Sequence, residues 1–155
     1  MASPSYGGVA TLLFANTSGS GAYTLPLPAG TSAGDLLVAA VSVQTFAVST
    51  SFSISSGWKV ILNRQFRPVI YYKFATASDV SSGNSGSFTK SVSARISASV
   101  TRWTGADSVA PFTNSDSTIA TTSVMNGPSM TATGDQVALR VVSAQDNVTD
   151  ANTVP

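Results

Sequence analysis

Alternation of apolar and polar positions dominates this chain, and a period of two predicts β-strands. The alternating segments are separated by clusters such as SSG, SSGNSG and TGAD, whose residues favour turns. No long segment has the apolar spacing of an amphipathic helix. The predicted strands are residues 9–16, 21–27, 35–44, 58–62, 68–75, 86–93, 93–104, 118–124 and 135–144. Many short strands with regular turns predict an all-β fold, namely an antiparallel β-sandwich of the jelly-roll kind.

One phrase of this pattern occurs twice, as AGDLLVAAVSVQ from Ala33 and as TGDQVALRVVSAQ from Thr133. In each copy, Gly and Asp predict a turn at which the chain enters a strand. The positions of one face, apolar in both copies and predicted to face the core, are Leu37, Ala39, Val41 and Val43, and Val137, Leu139, Val141 and Ser143. The opposite face is apolar in the first copy, which predicts a central strand covered on both sides. In the second copy Gln136 and Arg140 make that face polar, so we expect it to meet water or a partner.

The length of 155 residues is that of one domain. We predict a single β-sandwich domain over residues 1–145. Residues 146–155 are either a frayed tail or the start of a truncated continuation of the repeated pattern. No Lys or Arg precedes Lys59, and the longest aliphatic run, residues 36–41, is much shorter than a membrane span. We therefore expect no signal peptide and no membrane insertion.

The composition lacks several of the side chains that enzymes most often use in catalysis. The chain has no Cys, His or Glu, so thiolate nucleophiles, imidazole bases and the usual zinc ligands are missing. The net charge of +1 gives no field that would attract nucleic acid. Most Asp residues lie beside Gly, Ser or Asn, so turn and cap roles are expected for them. We therefore expect no enzyme, no catalytic residues, no cofactor and no metal. The spacing of the carboxylates and amides in residues 146–152 does not match a calcium loop.

Aromatic side chains are the better candidates for binding. The candidate binding or interface residues are Trp58, Tyr72, Trp103, Gln136 and Arg140. Trp58 follows a Gly turn and Trp103 precedes TGAD, so a core position at a strand end is the alternative for both. Tyr71 and Tyr72 are adjacent in a strand, so their rings point to opposite faces and at most one lies in the core.

The order of several motifs resembles that of a known family. LPLPAGTSAGDLLVAAVSV is followed by SSGWKVI, VIYYKFATASDVSSG, SASVTRWTGADSVAPF and TGDQVALRVVSA. This order, over residues 25–143, resembles a recurrent β-sandwich module of tailed-bacteriophage structural proteins, often from phages of actinobacteria, and of some bacterial surface proteins. The chain departs from the module in lacking a late GW turn and in stopping early. The resemblance implies no catalytic residues for this chain.

The resemblance implies a virion structural protein of the minor-tail or capsid-decoration type, made in the host cytoplasm. Its expected partners are other virion proteins and copies of itself, without nucleic acid. The alternative is a carbohydrate-binding module for host cell-surface glycans, in which the aromatic rings stack on sugars. An enzyme is the third choice, because no activated nucleophile or paired carboxylates are visible.

Overall fold

The structure, a computed structural model, describes residues 4–17, 21–44, 52–62, 69–90 and 94–112. Within these residues the chain is all-β, with strands in two antiparallel sheets and one short helix. In chain order the elements are β1 (Ser5–Thr17), β2 (Gly21–Pro26), β3 (Leu36–Gln44), β4 (Phe52–Ile54), β5 (Lys59–Leu62), β6 (Val69–Phe74), α1 (Ala77–Ser82), β7 (Asn84–Lys90) and β8 (Ala94–Thr104).

The five-stranded sheet has the order β1-β8-β3-β6-β5, and the three-stranded sheet has the order β2-β7-β4. Three pairings are nested within one another along the chain, namely β1 with β8, β2 with β7, and β3 with β6. A long antiparallel hairpin that folds over on itself produces this nesting, which is the jelly-roll arrangement. The nesting ends at β4 and β5, because β4 pairs with β7 and β5 pairs with β6. The predicted antiparallel, jelly-roll-like sandwich is confirmed.

The core lies between the two sheets and uses the alternate positions of β3 that the sequence predicts. Leu37, Ala39 and Val41 are fully buried there, and they belong to one cluster with Leu25 of β2 and Phe88 of β7. Burial of large apolar side chains from both sheets contributes about 1.5–3 kcal/mol for each such residue. This cluster therefore supplies the main force that holds one sheet against the other.

The opposite face of β3 is also buried. Leu36, Val38 and Ala40 point away from the sandwich core, and all three are nevertheless covered. β3 lies between β8 and β6 in the sheet, so the prediction of a central strand covered on both sides is confirmed. The second copy of the phrase, with Gln136 and Arg140, lies outside the described residues, as do residues 118–124 and 146–155.

The entry turn of β3 has the geometry that its Gly and Asp predict. Gly34 has a φ of 93°, in the region that favours glycine. The carboxylate of Asp35 accepts a hydrogen bond from the Ser32 backbone N–H at 2.9 Å. The Gly34 N–H donates to the carbonyl of Ala75 at 2.8 Å, which ties this turn to the end of β6.

The sequence pattern misses two short elements. β4 has three residues and α1 has six, so neither is long enough for a period to be visible. A capping box starts α1, because the Thr76 side chain accepts from the Asp79 N–H and the Asp79 carboxylate accepts from the Thr76 N–H. Gly83 ends it in the left-handed conformation. In the part of the chain that the structure describes, no helix has the length and apolar character needed to cross a membrane.

Candidate functional site

The candidate site lies on the face of the five-stranded sheet that points away from the core, which we call the outer face. Trp103 lies opposite Leu36 in the register of β8 and β3, and Tyr72 lies opposite Val38 in the register of β6 and β3. Directly opposed residues of antiparallel strands share a face of the sheet. Both aromatic side chains therefore lie on the outer face, one on each side of β3.

Each of these two rings belongs to a pair, and we call the two together the aromatic pairs. Tyr6 of β1 packs against Trp103 with ring centroids 5.4 Å apart and an interplanar angle of 68°. Tyr72 packs against Phe112 with centroids 5.1 Å apart and the same angle. Edge-to-face contacts of this kind stabilise by about 0.5–1.5 kcal/mol beyond burial, so the rings hold one another in place.

The polar atoms beside the aromatic pairs are engaged locally. The indole N–H of Trp103 donates to the hydroxyl of Thr101 at 3.1 Å, and the Thr101 hydroxyl donates to the Val38 carbonyl at 3.3 Å. The ammonium of Lys59 lies over the Tyr72 ring, 5.8 Å from its centroid. The polar groups recorded beside the aromatic pairs are therefore the Thr101 hydroxyl, which is bonded to β3, and the ammonium of the exposed Lys59 beside Tyr72.

Exposure is distributed unevenly over this face. Tyr6 is 56% exposed at the outermost strand, whereas Tyr72, Trp103 and Phe112 are half-buried. The structure thus brings two of the sequence-predicted binding residues, Tyr72 and Trp103, to one surface. The sequence marks Tyr6 as one of several possible binding aromatics and does not single out Phe112, and it predicts neither pairing, because the register of β1 and the path of the segment after β8 decide both contacts.

Trp58 lies in the core, which is the alternative to a binding role that the sequence left open for it. It is 9% exposed, belongs to the core cluster and donates its indole N–H to the Ser85 carbonyl at 2.9 Å. The ammonium of Lys73 lies 5.6 Å from the centroid of its ring. Because no face of this indole is open to a ligand, Trp58 is no longer a binding candidate. Tyr71 is also in the core while Tyr72 is not, as their adjacency requires.

A buried ion pair between Lys73, near the C-terminal end of β6, and Asp79 of α1 lies beside Trp58. Lys73 donates to the Asp79 carboxylate at 2.7 Å and to the Ser85 carbonyl at 3.1 Å. The other carboxylate oxygen of Asp79 accepts from the backbone N–H and the hydroxyl of Thr76 at 2.7 and 2.8 Å. Burial raises the pKa of Asp79, but these hydrogen bonds and the charge of Lys73 outweigh it, so the pKa is below its ordinary value. The pair fixes α1 to the sheet.

The described carboxylates all have turn or cap roles, as their sequence contexts predict. Asp35 caps the turn before β3, and Asp79 belongs to the capping box at the start of α1. Asp107 accepts from the backbone N–H groups of Val109 and Ala110, and these bonds lower its pKa. Among residues 4–112, in the ranges that the structure describes, no three metal-ligating side chains lie together.

Arg102 of β8 is held by contacts with the loop that precedes β3. Its guanidinium donates to the Ala29 carbonyl at 3.0 Å, and its Nε lies 3.6 Å from the Asp35 carboxylate. Side chains at Gly7 or Gly30 would collide with this guanidinium. Arg102 therefore fills the space between β1 and the loop that precedes β3.

Comparisons with protein-family models, curated proteins and solved structures found no match for this chain. The aromatic pairs are two separate ring contacts, one on each side of β3.

Proposed function

We propose that this chain is a bacteriophage virion structural protein, at the tail tip or on the capsid surface, which acts through protein–protein contacts and without catalysis. The observation that carries the proposal is the outer face, where two aromatic pairs flank the buried apolar row of β3. Interface centres are enriched in Tyr, Trp and Phe and depleted of acidic residues, and this face has that chemistry.

Three further properties support the proposal. Jelly rolls are the architecture of many viral capsid and lectin domains, although a fold by itself does not define a function. Charged residues make up only 10% of the chain, against roughly 25% in an average globular protein. A surface with few charges loses little hydration when it packs against another subunit. The motif order that resembles phage structural modules supplies the virion context.

Replacing Tyr72 or Trp103 with alanine is expected to weaken attachment to the virion partner by at least about tenfold, since central aromatic anchors contribute about 2 kcal/mol or more. The measurement is incorporation of the tagged chain into particles, quantified by mass spectrometry of purified virions. Val109→Ala is the matched control, because Val109 is 91% exposed in the loop after β8. Purified particles that never contain the wild-type chain would contradict the proposed function.

A carbohydrate-binding module for host cell-surface glycans is the second candidate. The observation in its favour is the exposed ring of Tyr6 beside Trp103, which is the arrangement that a sugar ring can stack on. Tyr72 is less suited to this, since Phe112 and Lys59 already lie against its ring. Binding to a glycan array that disappears in Trp103→Ala, with the fold intact by circular dichroism, would favour this candidate over the structural one.

A further inference from the structure

Charge is distributed unevenly over the five-stranded sheet. Its strands contain four cationic residues and neither Asp nor Glu. Lys73 and Arg102 both lie opposite Leu37 in the register, so these two cations belong to the face that points into the core. The Lys73 ammonium lies 2.7 Å from the Asp79 carboxylate, and the Arg102 Nε lies 3.6 Å from that of Asp35. Each inward-facing cation therefore has an anion from outside the sheet beside it.

The other two cationic positions are on the outer face. Lys59 lies opposite Tyr72 in the register of β5 and β6. Arg95 lies opposite Gln44, which has the same parity along β3 as Val38. Lys59 is exposed, and among the residues that the structure describes no carboxylate forms an ion pair with it. The outer face thus has cationic positions, no acidic position on its strands, and in Lys59 a cation without an anion.

The ring of Tyr72 places this cation beside the aromatic pairs. The Lys59 ammonium lies 5.8 Å from the centroid of the Tyr72 ring, where the negative face of the π-system attracts it. Phe112 packs against the same ring with centroids 5.1 Å apart, so the ring is itself held in place. The positive charge is therefore presented at the border of the aromatic pairs.

We propose that the partner of the outer face is a different protein, whose contact surface is apolar at its centre and carries at its rim a carboxylate that pairs with Lys59. This partner assignment rests on the proposed function, because it specifies the chemistry of what binds the same surface. Charged groups at the rim of an interface are arranged so that the potentials of the two surfaces are complementary. The outer face presents aromatic rings and cations, so its complement is apolar and acidic.

A second copy of the chain is a poorer complement. In the described ranges, Asp35 and Asp79 lie beside the inward-facing cations, and Asp107 accepts two backbone N–H groups of its own loop. Two outer faces related by a twofold axis would present cationic positions to each other, with no acidic position on the strands of either face. Like charges repel in such a contact, so a different protein is favoured.

The first test measures attachment of the purified chain to particles that were assembled without it, at several salt concentrations. Lys59→Gln is expected to weaken attachment about two- to fivefold at low salt, the usual effect of losing an exposed ion pair. Lys59→Glu should weaken it at least about tenfold, because two carboxylates would then meet. The affinity of the wild type should also fall more steeply with salt than that of Lys59→Gln.

Thr24→Asp is the matched control for charge. It changes the net charge by the same amount as Lys59→Gln, at an exposed position of β2 in the three-stranded sheet. Attachment and its salt dependence should stay those of the wild type in this variant. Circular dichroism of every variant checks that the fold is retained.

Zero-length cross-linking provides a second measurement, because it requires an amine and a carboxylate in contact. A carbodiimide activates the carboxylate, and the Lys59 amine then displaces the activated group as a urea and forms an amide. Mass spectrometry of treated particles is expected to show Lys59 joined to an Asp or Glu of another protein. Lys59→Arg keeps the charge, but its guanidinium stays protonated, so attachment should persist while the cross-link disappears.

Three results would overturn the partner assignment while the proposed function stands. The first is a wild-type chain that attaches to particles with the same affinity and salt dependence as Lys59→Glu. The second is a cross-link from Lys59 to an Asp of this chain's own sequence, which would make the chain or a copy of it the source of the anion. The third is an effect of Lys59→Gln on binding to an acidic glycan but not on attachment to particles. A wild-type chain that does not attach to particles at all would contradict the proposed function as well.

Discussion

Trp58→Ala is expected to lower the free energy of unfolding by about 3–5 kcal/mol, the usual cost of removing a large buried aromatic side chain. The indole is 9% exposed, packs within the core cluster and donates to the Ser85 carbonyl. Its loss would leave a cavity at the end of the sandwich, would remove one of the two donors to the Ser85 carbonyl, and would remove the ring beneath Lys73. The measurement is urea unfolding followed by far-ultraviolet circular dichroism.

Trp58→Phe is the control that separates packing from hydrogen bonding. It keeps an aromatic ring and removes the N–H, and the Ser85 carbonyl still accepts from Lys73, so we expect a smaller loss of about 0.5–1.5 kcal/mol, the net contribution of one hydrogen bond. Trp103→Ala should be less destabilising than Trp58→Ala, because Trp103 is half-buried on the outer face. Equal losses at the two tryptophans would contradict the assignment of Trp58 to the core and of Trp103 to a binding surface.

Lys73→Met is expected to destabilise the fold by a similar amount, about 3–5 kcal/mol, because it leaves the Asp79 carboxylate buried without its cation. The double variant Lys73→Met with Asp79→Asn removes both charges and should recover a large part of that loss. Asn still accepts hydrogen bonds from Thr76, so the start of α1 should survive. Urea midpoints of the single and double variants measure the coupling between the two side chains.

The same pair predicts how stability changes with pH. The pKa of Asp79 is lowered in the folded protein, so its ionised form stabilises the fold above the ordinary pKa of 3.8. That contribution is lost as the pH falls through the lowered folded value, when the carboxylate takes up a proton. Lys73→Met removes the part of the lowering that comes from Lys73 and keeps the hydrogen bonds from Thr76, so the pKa of Asp79 should rise and acid should destabilise the variant less than the wild type. Urea midpoints from neutral pH into the acid range would show this, and parallel acid profiles would contradict it.

The strands and the central position of β3 were predictable because burial imposes a period of two on the sequence. β3 is apolar on both faces, and only a strand with neighbours on each side and cover on each face needs that composition. The Gly34 turn was predictable for a related reason, since few residues adopt its backbone conformation.

The environment of Lys73 could not be predicted from the sequence. A lysine at the end of a strand ordinarily reaches water, and its burial here depends on α1, which places Asp79 beside it. Six residues with a capping box give no periodic signal, so the helix and the ion pair are both invisible until the chain is folded. The contact of Phe112 with Tyr72 is similar, because it depends on the path of the segment after β8.

The nested strand pairing has a consequence for synthesis of the protein on the ribosome. β1 emerges first, yet its partner β8 begins at Ala94, so β1 stays unpaired on the order of seconds at ordinary rates of translation. β3 likewise waits for both β6 and β8. Folds dominated by such distant pairings form slowly, in milliseconds to seconds after the chain is complete. During that interval an uncharged strand of 13 residues is open to pairing with other nascent chains, so the yield of folded protein should fall as its rate of synthesis rises.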